Sequence, residues 1–319
     1  MYNKGSNIDL LYNGADLMIK SICKTTLALS ILTGGLFYGN STPSSIKTVE
    51  AATISGTVTA SVLNIRSGPS TSYKVIGTLK KGAKVTITST SGSWYKIKSG
   101  TKTGWVSSKY IKKAPTTVSA TTVNKMKTLG TSKQLIIVSA ENESTRNVLI
   151  ETFEKSGTSW KKLHTYSGVI GKNGMISSKY EGDYETPEGR YTITTAFGRY
   201  SNPGTKMTYR KITSNDVFVD DSTSKLYNTW QLASENNGRW KTAEKMNISQ
   251  YDYGFVINYN TARTPGKGSA IFFHVAGTSG YTAGCTATSK TNVVSILKWL
   301  DPAKKPLIIQ TPLNKLTQY

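Results

Sequence analysis

The stretch HVAGTSGYTAGC, from His274 to Cys285, brings a histidine and a cysteine together in a chain that has two of each. They lie eleven positions apart, with Gly277, Gly280 and Gly284 between them. A cysteine attacks as thiolate, so a reactive thiol needs a base or a positive neighbour to take its proton. An imidazole does this near neutral pH, and glycines let the chain turn back sharply enough to bring Cys285 to His274. Gly284 leaves its own amide uncovered, and the Gly284 and Cys285 N–H groups are expected to donate to a developing oxyanion. Nucleophile, base and oxyanion donors together make a thiol acyltransferase. The same spacing also suits a core histidine beside a buried, inert cysteine, so the pair alone leaves both readings open. One Cys and one His lack the further ligands of a zinc site, so no metal is expected. His164, in WKKLHTYSG, has no motif about it and reads as structural.

These residues need rigid elements to hold them. SAIFFHVAG is a hydrophobic strand ending in His274, and QLIIVSA, VLIETFEK, RYTITTAFG, YGFVINYN and KPLIIQ read as further strands. One helix follows Cys285, with Val293, Ile296, Leu297 and Leu300 on one face and Asp301-Pro302 ending it. The unit from about residue 134 to 312 is therefore mainly β with few helices, and long enough to bury one sizeable core.

Ahead of it, residues 53–113 carry eleven Lys or Arg and no Asp or Glu. Short apolar alternations broken by glycine predict a small β-barrel there. The chain as a whole has a formal charge of +22, which implies a polyanionic neighbour. No nucleic-acid motif or phosphate-cradling loop accompanies the charge, so nucleic acid is not the expected partner. Residues 114–133, rich in Thr, Ser and Lys, read as a flexible linker. Residues 1–51 read as an N-terminal extension and export signal: Lys20 and Lys24 precede an apolar run, with small residues at Ala51 and Ala52. Met18 is an alternative start, and an uncleaved anchor is the competing reading of the run. Cleavage would remove Cys23 and leave Cys285 the only thiol, in a compartment where an unpaired thiol needs a job.

LNIRSGPSTSYKVIGTLKKGAKV, followed by WYKIK and GWVSSKYI, resembles the bacterial SH3-like domain, a module that binds cell-wall material. The second unit resembles the L,D-transpeptidase catalytic domain through LIIV, the TPEG turn at Thr186 to Gly189, GSAIFFHV and TAGC. That resemblance implies a β-sandwich-like core, Cys285 as nucleophile and His274 as base, and no cofactor. It also implies Thr282 and Thr286 beside the nucleophile as substrate contacts, with Trp230 and Tyr227 lining the donor groove. Val275 stands where many members have Gly or Ser, Thr282 where many have Ser, and Ala287 where many have Arg or Asn. The last removes a substrate-positioning group. Asp220 and Asp221 suit a cationic amine, although paired acids are more often a solvated turn. The implied function is a secreted, wall-associated peptidoglycan enzyme of a bacterium, Gram-positive by expectation. Its partners would be stem peptides and anionic wall polymers. L,D-carboxypeptidase action and non-catalytic wall binding are the alternatives.

Overall fold

The computed structural model describes residues 54–319. The expected export segment, with Met18 and Cys23, lies outside them.

The basic module is a seven-stranded antiparallel barrel: β1 (Ile54–Val58), β2 (Val62–Arg66), β3 (Val75–Lys80), β4 (Lys84–Ser91), β5 (Trp94–Ser99), β6 (Lys102–Ser107) and β7 (Ile111–Lys113). They pair in the order β3-β2-β6-β5-β4-β1-β7. Strand alternation sends Leu63, Ile65, Val85, Ile87, Ile97 and Val106 into one core and the polar residues between them outward. Lys74, Lys80, Lys81, Lys84, Lys96, Lys98, Lys102, Lys109 and Lys112 are all exposed.

The second unit begins earlier than its composition suggests. Ser119 caps the short helix α1 (Ala120–Asn124) by accepting from the Thr122 N–H. Val118, Val123 and Leu129 are buried in a core with Leu135, Phe153 and Trp160. The Val118 N–H donates to the buried Glu151 carboxylate at 2.7 Å. The stretch expected to be a flexible linker is thus largely docked. Three apolar residues and one backbone donor suffice, because each meets a partner far away in sequence.

The strands that follow are β8 (Gln134–Ala140), β9 (Asn147–Ser156), β10 (Ser159–Val169), β11 (Met175–Ile176), β12 (Thr186–Pro187), β13 (Gly189–Gly198), β14 (Thr208–Lys211), β15 (Asp216–Val219), β16 (Thr229–Leu232), β17 (Ala243–Lys245), β18 (Gly254–Ile257), β19 (Phe272–Val275), β20 (Thr286–Thr288) and β21 (Leu307–Pro312). Nine of them form one sheet in the order β14-β13-β18-β19-β20-β10-β9-β8-β21. β13 pairs with β21 through Gly189–Thr192 and with β18 through Ile193–Phe197. The sheet therefore closes on itself. Helix α2 (Lys290–Trp299) buries Val293, Ile296 and Leu297 in a core with Phe255, Phe273 and Ile308. A separate sheet, β16-β15-β17, stands beside the site.

Candidate active site

β19 and β20 run parallel, with Phe273 opposite Thr286 and His274 opposite Ala287. Paired residues in a sheet face the same side and successive residues alternate. Cys285, one residue ahead of β20, therefore shares a face with Ala287 and with His274. His274 and Cys285 are diagonal neighbours, a relation that sets Cα atoms about 7–8 Å apart and leaves long side chains in reach. The opposite face is core: Phe273 stacks on Phe255 at 4.7 Å. Thr286 Oγ1 donates to Gln310 Oε1 at 2.5 Å. Thr286 is thus a buried packing residue facing away from the nucleophile, contrary to its expected role as a substrate contact.

The turn before Cys285 is clamped from two sides. Thr282 Oγ1 donates to the Cys285 carbonyl at 2.6 Å and accepts from the Gly284 N–H at 3.1 Å. Thr186 of the TPEG turn donates to the Gly284 carbonyl at 2.8 Å and accepts from the Gly171 N–H at 2.9 Å. Thr186 is thus a positioning residue whose only sequence signal was the TPEG turn. Gly284 has φ +150°, and a Cβ there would lie 3.0 Å from the Glu185 carbonyl, so glycine is required by both conformation and space. The Gly284 N–H was expected to face an oxyanion. It is instead committed to Thr282, and of the two amides only that of Cys285 is without a partner among the described residues.

Cys285 and His274 are 7% and 6% exposed, and both line a cavity of about 530 Å³. At rest the sulfur lies between backbone groups. Sγ accepts from the Phe272 N–H at 3.3 Å and donates to the Ala270 carbonyl at 3.3 Å. Burial pushes the thiol up to about 12, and Glu244 adds to this, while the Phe272 amide and Lys179 oppose it. Burial pushes the imidazole down to about 4, against a hydrogen bond to the Val275 carbonyl. Both groups are therefore neutral near pH 7. His274 Nδ1 lies 2.9 Å from the Val275 carbonyl. A neutral ring donating there keeps its lone pair on Nε2. Tyr251 packs edge-on against the ring at 5.2 Å.

The expected groove residues stand behind the cavity. Trp230 Nε1 donates to Asp216 Oδ1 at 2.7 Å, and its ring packs against Phe197 and Phe218. Tyr227 is buried, donates to Glu181 Oε2 and accepts from the Gly268 N–H at 3.0 Å. Neither lines the cavity; Tyr227 braces Glu181, which does. The two adjacent aspartates divide. Asp221 is a turn residue, accepting from the Thr223 and Lys241 N–H groups. Asp220 lines the cavity, and its buried Oδ1 has no hydrogen-bond partner. His164 is exposed on β10, stacked on Tyr166, and does not line the cavity although β10 is the neighbour of β20. Among the described residues no group of three or more His, Cys, Asp or Glu is arranged to hold a metal ion.

Family models match both folded units. A family model described as bacterial SH3 domain matches residues 61–112. Among curated proteins, a putative N-acetylmuramoyl-L-alanine amidase, YrvJ, of Bacillus subtilis (strain 168) is 45% identical over 49 residues, 15% of this chain and 10% of that protein. Bacteriocin BCN5 of Clostridium perfringens is 47% identical over 51 residues, 16% of this chain and 6% of that protein. The matches thus span a tenth or less of the length of these relatives. Among solved structures, that of Bdellovibrio bacteriovorus Bd1075 aligns with a TM-score of 0.32 at 17% identity, covering 57% of this chain and 49% of that one. A second family model, described as L,D-transpeptidase catalytic domain, matches residues 133–309, more than half of the chain, and the chain belongs to that family.

Proposed function

We propose that this protein is an exported peptidoglycan L,D-transpeptidase that works through a thioester on Cys285, held at the wall by its basic SH3-like module. The observation that carries the reading is that His274 and Cys285 project from one face of adjacent strands into a single cavity. The donor is a wall stem peptide in which a diamino acid in third position is joined to a terminal D-alanine.

Because thiol and imidazole both rest neutral, attack and proton transfer occur together rather than from a stored ion pair. As Sγ leaves the Ala270 carbonyl and attacks the scissile carbon, its proton passes to His274 Nε2. The Nδ1–H bond to the Val275 carbonyl steadies the imidazolium that results. The Cys285 N–H receives the developing oxyanion. The C–N bond then breaks, D-alanine leaves with the proton from His274, and the thioester remains. The side-chain amine of a second stem attacks that thioester, gives a proton to His274 and forms a cross-link between two third-position residues, regenerating the thiol. Thr282 and Thr186 act here as positioning residues, fixing the carbonyls on either side of the attacking residue's amide. Export and residence in a Gram-positive wall follow from the same reading, with the charge of the module drawn to anionic polymers.

Purified enzyme incubated with defined disaccharide tetrapeptides tests the reaction. Cross-linked dimers are expected. Tripeptide monomers alone would make the enzyme an L,D-carboxypeptidase, and unchanged substrate with an intact fold would leave only wall binding.

A further inference from the structure

The cavity around Cys285 contains a buried cation that the chemistry described above leaves without a task. Lys179 is 3% exposed, and among the described residues it is the one lysine or arginine of the cavity wall. It stands on the loop that runs from β11 to the TPEG turn. Its stem crosses Gly268, where a Cβ would come within 2.8 Å of Cε. Its Nζ lies 3.3 Å from the place a Cβ would take on Gly284. Two glycines on separate segments thus make room for one side chain, whose charged end stops beside the residue preceding the nucleophile.

Burying an ammonium is costly, and an ion pair alone is weak reason to keep one in the interior. The partner is Asp183, whose Oδ1 accepts from Nζ at 2.5 Å. The turn at Asp183 is nevertheless held by other means. Its carboxylate accepts from the Tyr180 N–H at 2.8 Å and the Glu185 N–H at 2.9 Å. Its carbonyl accepts from Asn173 Nδ2 at 2.8 Å. An ammonium has three donors. Beyond Asp183, its one acceptor among the described residues is the Tyr180 carbonyl at 3.4 Å, so a donor is left over.

The nucleophile has a matching need. Attack by Cys285 puts negative charge on the sulfur and then on the carbonyl oxygen of the substrate. Of the two amides expected to receive it, that of Gly284 is committed to Thr282, which leaves one. The carboxylates of the wall, Glu181, Asp220 and Glu244, disfavour any such charge. Glu244 pushes the thiol up while Lys179 draws it down, with no opposing action from Asp183. At the sulfur, the Lys179–Asp183 pair therefore acts as a cation.

We infer that Lys179 is a further catalytic residue: its ammonium stabilises the negative charge that acyl transfer creates at Cys285, on the sulfur as its proton leaves and on the oxyanion beside the Cys285 N–H. Lys179 moves no proton, a part that stays with His274. The inference rests on the proposed acyl transfer and adds the cation that its charged states require.

Two variants of the full chain separate this role from support of the loop. Lys179→Met keeps a stem over Gly268 and removes the charge. Lys179→Met combined with Asp183→Asn also removes the carboxylate left unpaired, and it decides the matter if the single variant does not fold. Each is read by kcat and KM with a D-alanine-terminated tetrapeptide, and by iodoacetamide alkylation of Cys285, which needs no peptide chemistry. In both variants kcat should fall about 10²-fold or more, the effect of removing one oxyanion donor, with KM within about threefold. Alkylation should slow about tenfold throughout the range from about pH 7 to 9, because losing a nearby cation disfavours the thiolate. A double variant that regains the wild-type kcat or alkylation rate would reduce Lys179 to the counter-ion of Asp183 and overturn the inference. A higher KM at unchanged kcat would overturn it too, by making the lysine a binding group. If the wild type transfers no acyl group, the proposed function fails and alkylation alone decides. Slowing in the double variant then upholds the action of Lys179 on Cys285, and an unchanged rate overturns it.

Discussion

The surface of the small barrel and the wall of the cavity around Cys285 carry opposite charge. From Ile54 to Lys113 every charged side chain is Lys or Arg, and nearly all are exposed on a small barrel. Around Cys285 the cavity wall offers three carboxylates and one lysine already paired with Asp183. Charge on an open surface attracts over about a Debye length and is weakened by salt. Charge set within a half-buried wall acts at contact range and is screened much less. The first suits capture of a large polyanion, and the second suits control of one reacting group.

The largest expected effect separates the two regions completely. Cys285→Ala should abolish acyl transfer, and His274→Gln should slow it by about 10²–10⁴. Neither should alter co-sedimentation of the protein with purified walls. Loss of wall retention in either variant would merge what the comparison keeps apart.

The resting thiol gives the next effect. With Cys285 pushed up to about 12, less thiolate is present at any neutral pH than for an ordinary cysteine. Its alkylation by iodoacetamide should rise about tenfold per pH unit between pH 7 and 9, with no plateau. A plateau reached by pH 7 would mean a preformed thiolate–imidazolium pair and would contradict the neutral resting state. Salt gives a smaller change. Raising ionic strength from about 0.05 to 1 M should release the isolated module from walls by about an order of magnitude, as the Debye length shrinks to about 3 Å. Hydrolysis or transfer of a soluble tetrapeptide should stay within about twofold over that range.

The smallest effect tests the reassigned aromatic residue. Trp230→Phe removes one of the two side-chain donors to buried Asp216 Oδ1, leaving that of Arg210, and should cost about 1 kcal/mol of stability in chemical denaturation. Steady-state parameters should change little. A large rise in KM with unchanged stability would return Trp230 to the substrate groove.

Much of this was legible because strand and helix periodicity reports which face a residue occupies. The run from Ser269 to His274 reads as a strand, and the apolar face after Cys285 reads as a helix, before any fold is known. The same alternation held information that the motif obscured. Cys285 and Thr286 are consecutive at a strand start, so they must face opposite sides, and only one can meet substrate. Asp220 and Asp221 are adjacent in the same way: one turns to the cavity and the other ties the turn to Thr223 and Lys241. The docking of residues 118–129 was less accessible. It depends on Glu151, 33 positions from Val118, and no local pattern announces such a partner. Tyr227 and Trp230 were misplaced because an aromatic side chain near a site suits either its lining or its support. Only the partners, Glu181 and Asp216, distinguish the two.

Intact-mass spectrometry of the full chain, quenched in acid shortly after mixing with a D-alanine-terminated tetrapeptide, tests covalent acyl transfer most directly. The expected result is one adduct equal to the peptide acyl group less its D-alanine, mapped to Cys285 and absent from Cys285→Ala. An unmodified mass in a folded protein, or an adduct that survives in Cys285→Ala, would contradict it.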